Sequence, residues 1–221
     1  MAITTLNLRA LNRSDTATSG QVITATSATA ADFQDAAGGA WNLIKTITAS
    51  ADSTISFVNG AADVVLDSTY DEYCFKYISL HPATDATEIQ FQGSIDGGSN
   101  YNVAITSTAF QGYNNEAGSS ANVAYYTADD LAQGTGFQNL CNNVGNANDE
   151  CVSGTLYLFN PSSTTFIKNW INRSQSYSGG DLALDGHQAG YFNTTSAINA
   201  IQFKMTGGNI DAGKIKLYGI S

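Results

Sequence analysis

The sequence predicts an all-β chain, a sandwich or barrel. The preferred form is a jelly-roll-like antiparallel β-sandwich over residues 41–221, preceded by an extended N-terminal arm over residues 1–40. Three observations carry this. From Trp41 onward, apolar and polar residues alternate with period two in ten or so short runs separated by turn residues. The 21 glycines follow no fixed period and there are only 2 prolines, which suits many tight turns and excludes collagen-like or linker-rich chains. No amphipathic pattern exceeds one helical turn and no internal repeat is visible, which disfavours bundles, propellers and solenoids.

Residues 12–35 are mostly Ser, Thr, Ala, Gly and Asp, with no aromatic before Phe33. Such a stretch cannot bury enough apolar surface to fold alone. It reads either as an arm ordered against a neighbouring subunit or larger assembly, or as a loose tail. Residues 29–35 suit one helical turn, and Gly38-Gly39 breaks the chain before the main domain.

In the main domain, Trp41, Leu43 and Ile47 share one strand face, with Ile44 on the other. Ile55 and Phe57 form a short strand ended by the turn dipeptide Asn59-Gly60. Tyr73, Phe75 and Tyr77 alternate with Cys74, Ile78 and Leu80 up to His81-Pro82; apolar groups on both faces predict a central strand. Ile89, Phe91, Gly93 and Ile95 alternate with Glu88, Gln90, Gln92 and Ser94, a half-exposed strand. Asp96-Gly97-Gly98 then turns the chain into a partner strand over residues 101–110, predicting a hairpin.

Residues 111–150 are irregular and rich in Asn, Gly, Ser and Asp, with strand candidates at 122–127 and 137–141. Long irregular segments of this kind commonly contact a partner or a ligand. Leu156 and Leu158 alternate with Tyr157 and Phe159; Asn160-Pro161-Ser162-Ser163 turns. The return strand over 166–172 has Ile167 and Ile171 on one face and Phe166, Lys168 and Trp170 on the other. Residues 186–192, 198–205 and 214–218 complete the set, with Gly207-Gly208-Asn209 between the last two.

Charge narrows the function classes. Nineteen acids against nine bases give a formal charge of −10. No Lys or Arg lies between Lys76 and Lys168, a stretch that holds Asp85, Glu88, Asp129, Asp130 and further acids. Such a surface repels a phosphate backbone, so no nucleic-acid partner is expected. Lys204, Lys214 and Lys216 read as a solvated strand face. No apolar run approaches about eighteen residues, so no membrane partner is expected. Residues 1–10 lack the basic-then-apolar order of a secretory signal, which predicts synthesis in a cytoplasm.

No convincing catalytic, cofactor-binding or metal-binding residues emerge, and no cofactor is expected. His81 and His187 read as turn histidines, and no Gly-x-Ser-x-Gly is present. Cys74, Cys141 and Cys151 have no zinc spacing and no adjacent histidine. If residues 142–150 form a loop between neighbouring strands, a Cys141–Cys151 disulfide can close across it, although a reducing cytoplasm opposes one. Cys74 reads as core. Asp71-Glu72, Asp129-Asp130 and Asp149-Glu150 are adjacent pairs that on a strand would point to opposite faces, and in loops read as solubilising. Residues 96–100 and 142–150 offer oxygen ligands for a cation without the twelve-residue EF-hand pattern. Gly208 to Lys214 spells a phosphate loop by spacing only: Ile215 replaces the magnesium-binding hydroxyl and a strand follows. Tyr113, Tyr125, Tyr126 and Tyr177, in polar surroundings, are the best candidates to stack on sugar rings.

Three groups of segments carry a resemblance. Leu11-Asn12-Arg13-Ser14, Thr18-Ser19-Gly20-Gln21-Val22 and Ala30-Ala31-Asp32-Phe33 are similar to the N-terminal region of phage fibre-like and virion proteins. The second group is Asp67-Ser68-Thr69-Tyr70-Asp71-Glu72-Tyr73, followed by Phe91-Gln92 and Ser94-Ile95-Asp96-Gly97-Gly98-Ser99-Asn100-Tyr101. The third is Leu158-Phe159-Asn160-Pro161-Ser162-Ser163-Thr164-Thr165, Gly190-Tyr191-Phe192-Asn193 and Ile210-Asp211-Ala212-Gly213-Lys214-Ile215-Lys216-Leu217-Tyr218-Gly219. Together they resemble structural, decoration- or fibre-like proteins of tailed bacteriophages, of the marine and cyanobacterial phage type. The likeness is spread over most of the chain. It implies a non-enzymatic virion component, a head-decoration, head-fibre or tail-associated part, assembled in the host cytoplasm. The implied partners are further copies of itself, as a homotrimer, and other virion proteins such as the major capsid or tail proteins. It brings no catalytic residues. A carbohydrate-binding adhesin that recognises host surface glycans is the alternative, and a glycan-degrading enzyme a weaker third.

Overall fold

The computed structural model describes residues 11–12, 21–25, 31–35 and 40–221. The chain divides into two compact units, Met1–Ala40 and Trp41–Ser221.

In the first unit, β1 (Leu11–Asn12), β2 (Gln21–Ala25) and β3 (Ala31–Asp35) make a small sheet. β1 runs parallel to β3, and β2 antiparallel to it from Gln21↔Asp35 to Ala25↔Ala31. Residues 31–35 are therefore extended. The expected helical turn is not present there, because a strand partner satisfies the backbone where an isolated turn would leave it unpaired. Residues 29–30 and the Gly38-Gly39 break lie outside the described residues.

The second unit is all-β and antiparallel throughout. Its strands are β4 (Trp41–Thr48), β5 (Ile55–Val58), β6 (Glu72–Pro82), β7 (Thr87–Ser94), β8 (Ile105–Asn115), β9 (Ala121–Tyr125), β10 (Ala132–Gly134), β11 (Gln138–Val144), β12 (Cys151–Phe159), β13 (Lys168–Ser178), β14 (Leu182–Phe192), β15 (Ala200–Met205) and β16 (Ile210–Ile220). A long run is ordered β4-β16-β6-β12-β13-β14-β8, with β9 and β10 sharing the outer edge of β8. A short run is ordered β11-β7-β15-β5, joined to the long one through Val144↔Ser178 alone.

Ring contacts locate the core. Phe57, Phe91 and Phe203 of the short run meet Phe75, Trp170 and Phe192 of the long run at centroid distances of 5.1 to 5.8 Å. All six rings are buried. Each contributes about 1.5–3 kcal/mol by leaving water, and edge-on pairs add about 0.5–1.5 kcal/mol. The inner face of the short run thus lies against the inner face of the long one. β6 is central, between β16 and β12, as its two apolar faces predict.

Three expectations are corrected. β7 and β8 do not form a hairpin: β7 pairs β11 and β15, while β8 pairs β14, β9 and β10. The Asp96-Gly97-Gly98 turn exists, with φ of +72° and +84° at the glycines, but the following segment carries the chain from one run to the other. β7 is also less exposed than expected at its end. Gln92 is fully buried, because its amide donates to the carbonyls of Val103 (3.1 Å) and Gly136 (2.7 Å). In β4, the register against β16 skips Ile44. This irregularity lets Ile44 and Ile47 both pack on the core, while Trp41 and Leu43 are exposed.

Candidate functional site

The inner faces of the two runs differ along their length. Beyond the aromatic cluster, β13 turns Asn172, Ser174, Ser176 and Ser178 inward, all buried. Burial of such groups requires partners. Tyr77 donates to Asn172 Oδ1 (2.7 Å); Asn172 Nδ2 donates to Gln188 Oε1 (2.6 Å) and the Leu140 carbonyl (3.1 Å); Ser174 donates to that same carbonyl (2.8 Å). The next buried pair is Ser107, whose hydroxyl donates to Gln138 Oε1 at 2.6 Å. Among the described residues, the indole nitrogen of Trp170 is the buried side-chain polar atom without a partner.

This polar layer leads to a cleft of about 650 Å³. β11 is the edge of the short run, so the inner face of β8 and β14 continues past it with Gln111, Tyr113 and Leu184. β7 supplies Glu88 and Gln90, β11 supplies Asn139 and Asn142, and the turn after β9 supplies Tyr126 and Asp129. The organising group is Asp129, only 3% exposed. Its carboxylate accepts from Asn139 Nδ2 (2.8 Å) and from Asn142 Nδ2, and its carbonyl accepts from Gln138 Nε2. Burial pushes its pKa up; the two amide donors oppose this, and the negative charges of Glu88 and Asp130 reinforce it. Asn139 in turn accepts from Gln90 Nε2 at 2.6 Å, and Glu88 accepts from the Thr206 hydroxyl. The arrangement is a fixed set of amide and carboxylate groups beside two tyrosine rings, suited to holding a polar ligand.

The solubilising reading of Asp129-Asp130 is therefore corrected. Asp130 accepts from the Tyr125 hydroxyl at the surface, whereas Asp129 is an internal anchor. Of the four candidate tyrosines, Tyr113 and Tyr126 line the cleft. Tyr125 and Tyr177 lie outside it and donate to Asp130 and Asp181. The amides were missed as a group; their signal was the Asn/Gln density of residues 138–143.

A second groove gathers His81, Cys151 and Asp211, far apart in sequence. His81 Nδ1 lies 2.8 Å from Asp211 Oδ1 and Nε2 lies 3.0 Å from the Ala147 carbonyl. Both partners are acceptors, so a ring that bridges them donates from both nitrogens, which favours the charged form and leaves neither nitrogen free to activate Cys151. Burial works against that charge, but the bonds to Asp211 and to the loop carbonyls outweigh it and raise the pKa. His187 instead stacks on Phe110, with centroids 4.7 Å apart, beside Asp185 at 3.3 Å.

The three thiols are free, so no Cys141–Cys151 bridge closes the loop between them. Cys141 is buried, 3.4 Å from the Ser176 hydroxyl, while Cys151 is half-buried opposite Tyr177. Cys74 is buried but not in the aromatic core. It lies on the other face of β6, opposite Tyr157 and Tyr218.

Of the two cation candidates, residues 142–144 belong to β11 and Asn142 donates to Asp129, whereas residues 96–100 are a self-satisfied loop. The side chains of Asn100 and Ser94 both donate to Asp96 at 2.7 Å and hold its pKa at about 2. Among the described residues no group of three or more His, Cys, Asp or Glu is placed to hold a metal ion. The phosphate-loop spelling runs through a turn into β16, with no helix there. Lys204 lies over the Phe137 ring at 4.2 Å, while Lys214 is exposed and Lys216 half-buried.

Comparison with family models, with curated proteins and with solved structures finds no match.

Proposed function

We propose that this chain is a non-enzymatic structural protein of a bacteriophage virion, a surface-exposed decoration, head-fibre or tail-associated component. On this reading residues 41–221 form a β-sandwich of jelly-roll type, and residues 1–40 are the arm that anchors it to the particle or to sister subunits. The working assembly is a homotrimer in contact with other virion proteins.

The observation that favours this reading is the outer face of the long run. It presents Trp41, Leu43, Ile171, Phe110, Val123 and Tyr125 to solvent. Trp41 packs edge-on against Tyr218 at 5.6 Å, with Lys76 Nζ 4.2 Å over its ring. Apolar side chains spread across one sheet face suit association with other subunits. The experiment is deletion of residues 1–35. The truncated protein is expected to stay soluble and fail to join the particle; normal incorporation would refute the anchoring role.

A second reading, glycan recognition as an adhesin of the same virion, is favoured by the cleft around Asp129 with Tyr113 and Tyr126 at its wall. Adsorption to the host by particles carrying Tyr126→Ala tests it: unchanged adsorption speaks against it.

A further inference from the structure

We infer that the cleft between β7, β8, β11 and β14 binds a neutral saccharide. The inference rests on the glycan-recognition reading and assigns it a place and a ligand class.

Four features argue for it. The volume, about 650 Å³, falls in the range of small-ligand sites, about 300–1,000 Å³. The lining mixes amides, which both donate and accept, with two tyrosine rings. Sugar hydroxyls likewise donate and accept, and the C–H face of a pyranose packs on an aromatic ring. Asn139 and Asn142 are clamped by the buried Asp129, so little side-chain freedom is lost when a ligand enters. Hydrogen-bonding capacity is left over: among the described residues the Gln111 amide only accepts, from Asn142, and the side-chain hydroxyls of Tyr113 and Tyr126 have no partner.

Charge selects the ligand further. Glu88 and Asp129 line the cleft, and among the described residues no Lys or Arg does. A uronate, a sialylated glycan or a phosphate would meet two carboxylates with no compensating cation. A metal ion would have to displace Thr206 from Glu88 and both amides from Asp129.

The test uses the full chain in EDTA, on an array of neutral and acidic glycans, followed by titration with lactose, maltose and cellobiose. Neutral glycans are expected to bind, and Tyr126→Ala is expected to weaken them about tenfold or more with the unfolding midpoint unchanged. Gln111→Glu, which keeps side-chain size and adds a charge, reads the same loss should Tyr126→Ala fold poorly. Neutral-glycan binding that neither variant alters would overturn the site while leaving glycan recognition standing. No neutral binding up to about 10 mM, or binding of acidic glycans alone, would overturn the inference, and no glycan binding of any kind would overturn the reading beneath it as well.

Discussion

Tyr77 on β6 donates its hydroxyl to Asn172 Oδ1 on β13 at 2.7 Å, reaching past β12 in a layer where both residues are buried. The bond joins the aromatic and polar parts of the interior. Tyr77→Phe keeps the ring and strands the Asn172 oxygen away from water. The expected cost is about 1–3 kcal/mol, read as a lower denaturation midpoint at unchanged slope. An unchanged midpoint would mean that Asn172 finds another donor.

The Tyr77 ring also explains Gly154. A Cβ at Gly154 would collide with the Tyr77 hydroxyl and lie 2.5 Å from the backbone oxygen of Arg173. The first contact could yield by side-chain movement, but the second belongs to the β12–β13 ladder. Gly154→Ala should destabilise by about 1–3 kcal/mol, seen as a lower Tm. Gly97→Ala is the useful contrast: its Cβ meets open space, so its cost comes only from φ of +72°.

His81 gives a pH dependence with a definite sign. Its folded pKa is raised, so the imidazolium bridging Asp211 and the Ala147 carbonyl stabilises the native state. That contribution is fully present below the unfolded value of about 6.5 and is lost as pH rises through the folded value. Asp149 and Glu150 border the same groove and add negative charge nearby. Stability measured from pH 5 to 9 should fall across this window in the native chain and fall less in His81→Gln. An identical profile in the variant would remove the bridge from the account.

Thiol chemistry should separate the three cysteines. Burial pushes Cys74 up to about 12 and also raises Cys141. Both are also closed off from solvent, whereas Cys151 is half-buried at the start of β12. An aromatic disulfide reagent should label one thiol quickly, at Cys151, and the other two only on unfolding. Rapid labelling of Cys74 would show that Tyr157 and Tyr218 do not seal it.

Legibility from sequence followed the physics of each element. β6 could be read because apolar groups on both faces leave few places except the middle of a sheet. The Asp96-Gly97-Gly98 turn could be read because its positive φ values suit glycine. The partner of β7 could not, since period two fixes which face is buried and not which strand lies alongside. β4 misled because one skipped residue, Ile44, shifts the parity. β13 holds the plainest inversion: Ile171 faces solvent while Asn172 and Ser174 face inward. Only the assembled amide network makes that alternation favourable. The cleft was legible in part. Tyrosines in polar surroundings could be named, and Tyr113 and Tyr126 do line it, but the role of Asp129 depends on Asn139 and Asn142 folding onto it.

The most direct measurement is an electron-microscopy reconstruction of purified phage particles, with proteomics of the same preparation. The account predicts this chain in symmetric copies on the particle surface, with the Trp41 and Ile171 face of the long run against a neighbouring subunit. Absence of the chain from purified particles, or a monomer whose outer sheet face touches no other subunit, would contradict it.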